Sequence, residues 1–177
     1  PTRNGAEKLA EQLSAKTGRK VAAYHAGLPL DVRSRVQSEF VASEDGIVTA
    51  TVAFGMGIDK PDVRFVAHAG LPKSIEGYYQ ETGRAGRDGD PAEALMLWGA
   101  EDFARARMRL SELPEERVPS ERARLDALAA LVETVEFRRA LLLRHFGEQP
   151  ADRCGNCDTC LEPPRQIDAS LLAQKLL

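Results

Sequence analysis

Two arginines three residues apart, Arg84 and Arg87, stand in the run Gln80-Glu81-Thr82-Gly83-Arg84-Ala85-Gly86-Arg87-Asp88-Gly89, with small residues between them and glycines on either side. Glycine opens backbone conformations that are closed to other residues and lets a turn approach a ligand closely. A guanidinium fork matches phosphate oxygens in pairs, and an arginine aimed at a transferring phosphoryl group neutralises the charge that develops there. The plain alternative is a solvated surface turn with two exposed arginines. A second constellation lies near the end of the chain. Cys154-Gly155-Asn156-Cys157-Asp158-Thr159-Cys160 holds all three cysteines in two overlapping C-x-x-C steps. Thiols at that spacing, with a glycine that lets the loop wrap a tetrahedral ion, form a metal-ligand pattern rather than a disulfide framework. A redox dithiol is the other chemistry open to them, but no thioredoxin-like context surrounds the loop.

Regular elements must position these groups. Ala6, Leu9, Ala10 and Leu13 recur at helical spacing and Gly18 supplies a stop. Lys20 to Tyr24 reads as a short strand and His25-Ala26-Gly27 as the turn at its carboxyl end. Leu30 to Phe40 is a second amphipathic helix, Gly46 to Thr51 is β-rich, and Val63 to Ala67 is another apolar strand. Ser74 can cap a helix through Ile75, Tyr78 and Tyr79. Ala92 to Trp98 is the next strand and Glu101 to Leu113 the next helix. Strands alternating with helices predict an α/β fold with a mostly parallel sheet covered on both faces. Ligands then belong at the carboxyl ends of the strands, where the turns at His25, at Thr51 to Asp59 and at Arg84 to Arg87 lie. Beyond the polar, proline-bounded link Pro114 to Pro119, residues 120–146 contain neither glycine nor proline. Leu125, Leu128, Leu131, Val132 and Val135 follow a helical face there, as do Leu141, Leu142 and Phe146, and Gly147 ends the stretch.

The run Gln80 to Gly89 resembles motif VI of the RecQ family of helicases. Tyr24-His25-Ala26-Gly27-Leu28 looks like the segment that the family places before motif V, and Thr49 to Pro61 is similar to motif V itself. The resemblance covers essentially the whole chain. It implies a second RecA-like lobe over residues 1–113 lacking its first strand, a helical zinc-binding subdomain over 114–165, and over 166–177 the start of a link towards a winged-helix domain. The implied activity is ATP-dependent DNA unwinding with 3′-to-5′ polarity. Arg84 and Arg87 would be its catalytic arginines, with Gly57, Asp59 and Gln80 on the nucleotide side. His25, Thr49 and Thr51 would meet the nucleic-acid backbone, with Arg138 and Arg139 as further contributors. ATP with magnesium would be shared with an upstream lobe of the same polypeptide. The partner would be single-stranded or partly duplex DNA, in a reducing intracellular compartment, cytoplasmic or nuclear.

Other readings of single residues stay open. Asp59 can be a turn carboxylate bonded to local amides, and His25 a satisfied histidine at a strand end. Phe54 and Met56 can stack on a ligand or pack in the core. RecQ zinc domains resemble the cysteine loop but draw a first cysteine from the preceding helix, and the corresponding position here is Phe137. Zinc held by Cys154, Cys157 and Cys160 would need a fourth ligand from His145, Asp152, Asp158 or a water. The alternative is a weak or lost metal, with Phe137 filling the space by packing.

At 177 residues the chain has room for one ordinary domain and a small second one. Its 43% hydrophobic and 29% charged residues make it globular rather than disordered. No apolar run approaches the ~20 residues that span a bilayer, so no membrane partner is expected. The start Pro1-Thr2-Arg3-Asn4 is no signal peptide, and without an initiator methionine a piece of a longer protein is expected. No G-x-x-x-x-G-K-[ST] phosphate loop occurs, nor an Asp-Glu pair on a strand to hold magnesium. The chain is therefore expected to be inactive alone. A non-catalytic zinc module that binds DNA or a partner protein is the reading from a different class. With a net charge of −3, DNA binding by this chain should be weak and should fall steeply with salt. Fluorescence anisotropy on single-stranded DNA across a salt titration checks this, and tight binding indifferent to salt would contradict it.

Overall fold

The computed structural model describes residues 2–51, 54, 58–150, 153–165 and 174. Gly57 with most of its glycine-rich stretch, Asp152, and most of Ser170 to Leu177 lie outside the described residues. The chain forms two compact units, one of residues 1–72 and 76–105, the other of residues 73–75 and 106–177.

In the first unit, α1 (Arg3–Thr17) opens where the Thr2 hydroxyl accepts the Gly5 N–H at 3.1 Å and closes at Gly18, whose φ of 68° only glycine adopts freely. Ala6 and Ala10 are its buried residues, small enough for close approach to the strands. Strand β1 (Val21–Tyr24) leads through α2 (Leu30–Ala42) to β2 (Ile47–Ala50), which pairs with it in parallel, Val21 against Ile47 and Tyr24 against Ala50. Strand β3 (Phe65–His68) leads through α3 (Ile75–Thr82) to β4 (Glu93–Met96), again parallel, Phe65 against Glu93. Each is the β-helix-β crossover that parallel pairing requires. α4 (Ala100–Leu110) follows. The α/β class and the parallel pairing are as the alternating pattern predicts. Among the described residues, however, no ladder joins β1–β2 to β3–β4, so two parallel pairs stand where a single sheet was expected.

Polar residues stitch this unit together from inside. The buried Thr49 hydroxyl donates to the Ala6 carbonyl at 2.8 Å, tying β2 to α1. Phe54, half-buried, packs edge-on against Tyr24, with centroids 4.6 Å apart, and against Phe40 at 5.5 Å, an aromatic cluster within the unit. Lys60 is buried as well. Its ammonium donates to the Ser43 carbonyl at 2.6 Å, just past the end of α2, and pairs with Asp62. A cation there meets the unpaired carbonyls and negative dipole of a helix C-terminus.

The second unit holds a 3₁₀ turn at Glu115–Arg117, α5 (Val118–Glu133), α6 (Arg138–His145) and the short α7 (Asp158–Leu161). Leu125, Leu128, Leu131 and Val132 of α5 are buried, as is Ala140 of α6. The uninterrupted helical pattern of residues 120–146 is thus broken, over Thr134 to Phe137. The cause is local. Thr134 turns extended at ψ 140°, and its hydroxyl accepts the Glu136 N–H at 3.0 Å, offering the backbone an alternative to the helix. The freed carbonyls of Leu131 and Val132 are then met by Arg138 Nη1 at 2.6 and 3.3 Å. In the first unit, replacing Thr49 by Val should lower stability by about 1 kcal/mol, the net value of one buried hydrogen bond. Urea unfolding measures this, and an unchanged midpoint would show that the α1–β2 tie is dispensable.

Candidate functional site

α3 ends where the glycines begin. The Thr82 hydroxyl donates back to the Tyr78 carbonyl at 2.8 Å, and the Gly83 N–H to the Tyr79 carbonyl at 2.9 Å. Residues 83–88 then form successive turns rather than more helix, because Gly86 adopts a φ of 65°. Arg84 and Arg87 therefore share no helical face, and the turn itself sets their directions. That turn is pinned to the segment before β3. The Gly86 N–H donates to the Val63 carbonyl at 2.9 Å and the Asp88 N–H to the Pro61 carbonyl at 3.3 Å. Arg64 closes the far side, with Nε on the Asp62 carbonyl at 3.0 Å, Nη1 on the Pro91 carbonyl at 3.3 Å and Nη2 on the Asp88 carboxylate. A Cβ at position 86 would stand 2.8 Å from the Asp90 carbonyl oxygen, so glycine is required there for space as well as for its φ.

Two of the expected nucleotide-side residues meet at this turn. Arg87 Nη1 lies 3.6 Å from Asp59 Oδ1, and Arg87 Nε donates to the Gly83 carbonyl at 3.3 Å. The Asp59 side chain is 93% exposed and that of Arg87 44%, so their pair contributes little stability and opens at small cost. Burial of the neighbouring Lys60 leaves Asp59 presented outward. Arg84 is half-buried, and its Nε is buried without an acceptor among the described residues. A buried N–H of that kind costs roughly 1–3 kcal/mol until an oxygen meets it. Gln80 is exposed on α3. Glu81, inside the same run, bonds His68 at the end of β3, with Nε2 2.5 Å from Oε2 and the Tyr78 ring 5.3 Å from the imidazole. His68 and Arg64 were missed in the sequence because a strand-end histidine and a lone arginine carry no pattern.

The residues expected on the nucleic-acid side divide. His25 is only 4% exposed. Its Nε2 bonds Glu7 at 2.9 Å and its Nδ1 accepts the Gly27 N–H at 3.2 Å, so both ring nitrogens are occupied within the fold. Thr49 is buried on the Ala6 carbonyl, as described. Thr51, half-buried, closes the β2 end through its N–H to the Tyr24 carbonyl at 3.1 Å. The exposed Arg3 side chain lies against Gly27 in the same turn, Nη1 standing 3.1 Å from where a Cβ would be. Arg138 is likewise engaged internally, whereas Arg139 is exposed.

Arg138 organises the thiol loop. Its Nε and Nη2 hold the two oxygens of Asp158 at 2.6 and 2.8 Å, while Nη1 caps α5. These hydrogen bonds hold the Asp158 carboxyl below its ordinary range. With both oxygens so occupied, Asp158 does not join the thiols. Cys154, Cys157 and Cys160 bring their sulfurs within 4.8 Å of one another, assembled by the left-handed Gly155 and the first turn of α7. Burial pushes the Cys157 thiol up, but hydrogen bonds from Thr159, from the two other thiols and from the Arg138 backbone N–H bring it down to about 6. Thr159 has one hydroxyl proton for two partners, the Glu136 carbonyl at 2.8 Å and the Cys157 sulfur at 3.3 Å. Burial pushes the Cys160 thiol up. Three convergent thiols, one already inclined to ionise, suit a soft divalent cation such as zinc.

The family described as Helicase conserved C-terminal domain matches residues 1–89, and that described as RecQ zinc-binding matches residues 100–161. The chain is 48% identical over 177 residues to the ATP-dependent DNA helicase RecQ of Haemophilus influenzae, covering 99% of this chain and 28% of that protein. The protein of that name from Bacillus subtilis is 37% identical over 177 residues, covering 99% and 30%. ATP-dependent DNA helicase Q5 of Rattus norvegicus is 42% identical over 180 residues, covering 95% and 18%. The chain thus spans less than a third of the length of these curated relatives. Among solved structures, domain 2 of the DEAD-box helicase Mss116p bound to an RNA duplex matches with a TM-score of 0.52 at 22% identity, over 68% of this chain and 52% of that one. Mss116 bound to ssRNA and UDP-BeF matches with a TM-score of 0.52 at 17% identity, over 100% and 40%. At those identities the likeness is one of fold, a RecA-like lobe.

Arg138 and Arg139 offer a contrast in the second unit. Arg138→Ala should cost about 2 kcal/mol, since it strips two charged hydrogen bonds and a helix cap, and should weaken metal binding about 10- to 100-fold. Arg139→Ala should change neither. Thermal unfolding with and without zinc, together with a chelator competition, measures both effects, and equal behaviour of the two variants would refute the assignment.

Proposed function

The chain belongs to the helicase conserved C-terminal domain family, in its RecQ-type form with the RecQ zinc-binding segment behind it, and from that premise we propose that it is the C-terminal half of the motor core of an ATP-dependent 3′-to-5′ DNA helicase. Residues 1–113 are its second lobe and 114–165 its zinc-binding subdomain. The observation that carries the proposal is the pinned turn at Gly86. It presents Arg84 with a buried Nε that has no acceptor among the described residues, and Arg87 with an exposed carboxylate partner, Asp59, beside its bond to the Gly83 carbonyl. Guanidinium groups in that condition suit phosphate oxygens arriving from outside the chain.

Bound ATP with magnesium would supply the phosphoryl group and the developing charge, and the phosphate loop and the magnesium carboxylates would belong to an upstream lobe. On this side, Arg84 and Arg87 engage the terminal phosphates as the lobes close, Arg87 exchanging Asp59 for the nucleotide. Freed of Arg87, Asp59 serves as a ribose partner, with Gln80 and Gly57 on the same side. Glu81, held by His68, steadies the helix end from which the turn departs. On the DNA side, Thr51 and the exposed Arg3 meet backbone phosphates, while His25 and Thr49 act from inside by fixing the loops that carry them. Arg139 adds an exposed cation. Cys154, Cys157 and Cys160 would hold zinc, which would cross-link the loop when bound. Without the partner lobe the chain does not turn over nucleotide.

In an intact protein carrying this chain, Arg84→Ala or Arg87→Ala should lower kcat for DNA-stimulated ATP hydrolysis by about 10³-fold or more. KM for ATP should change little, because the lost contact belongs to the transition state. Lysine should rescue poorly at either position, since a point charge does not reproduce the fork. Steady-state hydrolysis assays decide, and normal turnover by both alanine variants would return the run to a structural turn.

A further inference from the structure

The three sulfurs lie within 4.8 Å of one another, close enough to share one ion, with Cys154 and Cys160 3.5 Å apart. Among the described residues no imidazole or carboxylate oxygen joins the three thiols as a fourth donor. The nearby donors are otherwise placed. Asp158 gives both oxygens to Arg138. His145 is exposed at the end of α6, its ring edge-on to Phe146 at 5.4 Å. Phe137, the half-buried residue just before α6, carries no donor atom in its side chain. All three cysteines are partly solvent-accessible.

Zinc sites closed by four protein ligands are structural and inert, whereas sites with three protein ligands keep a position for an outside molecule. Three thiolates already over-neutralise a divalent cation, so a neutral donor is the better fourth ligand on charge grounds. Accepting the zinc assignment made above, we propose that this centre is a three-thiolate site whose fourth position is exchangeable, holding a water at rest and accepting a small exogenous donor of the imidazole or monothiol class. The Arg138 clamp lets the site stand without a fourth side chain. It fixes α5, α6 and α7 to one another through Leu131, Val132 and Asp158, leaving the metal free of that task.

Cobalt(II) substituted for zinc reports its ligand field through its visible absorption. In the full chain loaded with cobalt, titration with imidazole or with 2-mercaptoethanol should shift the d–d bands saturably, and dialysis should restore them. Asp152→Asn should leave the starting spectrum and the shift unchanged. Phe137→Cys, which adds a thiol at the residue before Arg138, should intensify the sulfur-to-cobalt charge-transfer band and abolish the response to added ligand. Wild-type bands that ignore both probes would overturn the open position while leaving metal binding intact, as would a changed resting spectrum in Asp152→Asn. Failure of the chain to take up cobalt or zinc at all would overturn the zinc assignment and this inference with it.

Discussion

The hydrogen bond from the Gly86 N–H to the Val63 carbonyl is the constraint on which the arginine turn depends. It forms only because residue 86 can take a left-handed conformation with the Asp90 carbonyl close by, where no side chain fits. Once it is made, the chain after α3 cannot continue as a helix, and residues 83–90 lie along the segment that enters β3. Arg64 completes the arrangement by tying Asp88 and Pro91 to the same segment. Arg84 and Arg87 are thereby aimed by backbone rather than by their own packing. That leaves the Arg84 Nε without an acceptor among the described residues and Arg87 in a weak, exposed pair with Asp59.

Buried polar side chains, more than apolar area, determine how the loops of the first unit are held. Each of its four strands is four residues long, which gives short ladders and few cross-strand contacts. Thr49 on Ala6, His25 on Glu7 and Gly27, and Lys60 on Ser43 and Asp62 link helix ends and strand ends instead. Because directional bonds of this kind cost heavily when left unmade, they specify loop positions that close packing of alanine and valine would leave loose. Asp59 and Arg87 stand outside this frame, exposed and weakly paired with each other.

In the second unit one arginine does what a longer helix would otherwise have done. The break between α5 and α6 frees carbonyls that a continuous helix would satisfy internally, and Arg138 meets them while gripping the carboxylate at the start of α7. The same residue supplies a backbone N–H to the Cys157 sulfur. Helix interruption, capping and thiol placement are thus one event, which explains why an arginine beside an exposed neighbour of the same type has a wholly internal role.

Residue type and spacing by themselves determined the α/β class, the cluster of three thiols that fits zinc and, through the motifs, the family resemblance. These rest on periodicity, on glycine and cysteine placement and on contiguous motifs, all of which are local along the chain. The tertiary structure alone decided which polar residues face inward. His25, Thr49 and Arg138 look in the sequence like ligands for phosphate. Their partners Glu7, Ala6 and Asp158 lie 18, 43 and 20 residues away, and nothing local marks those pairings. It also split residues 120–146 at Thr134, where a single hydroxyl outcompeted a helical pattern that had no glycine or proline to warn of it. Helical periodicity states which face can be buried. Whether the backbone continues is settled by the partners that the freed carbonyls find, and those come from elsewhere in the fold.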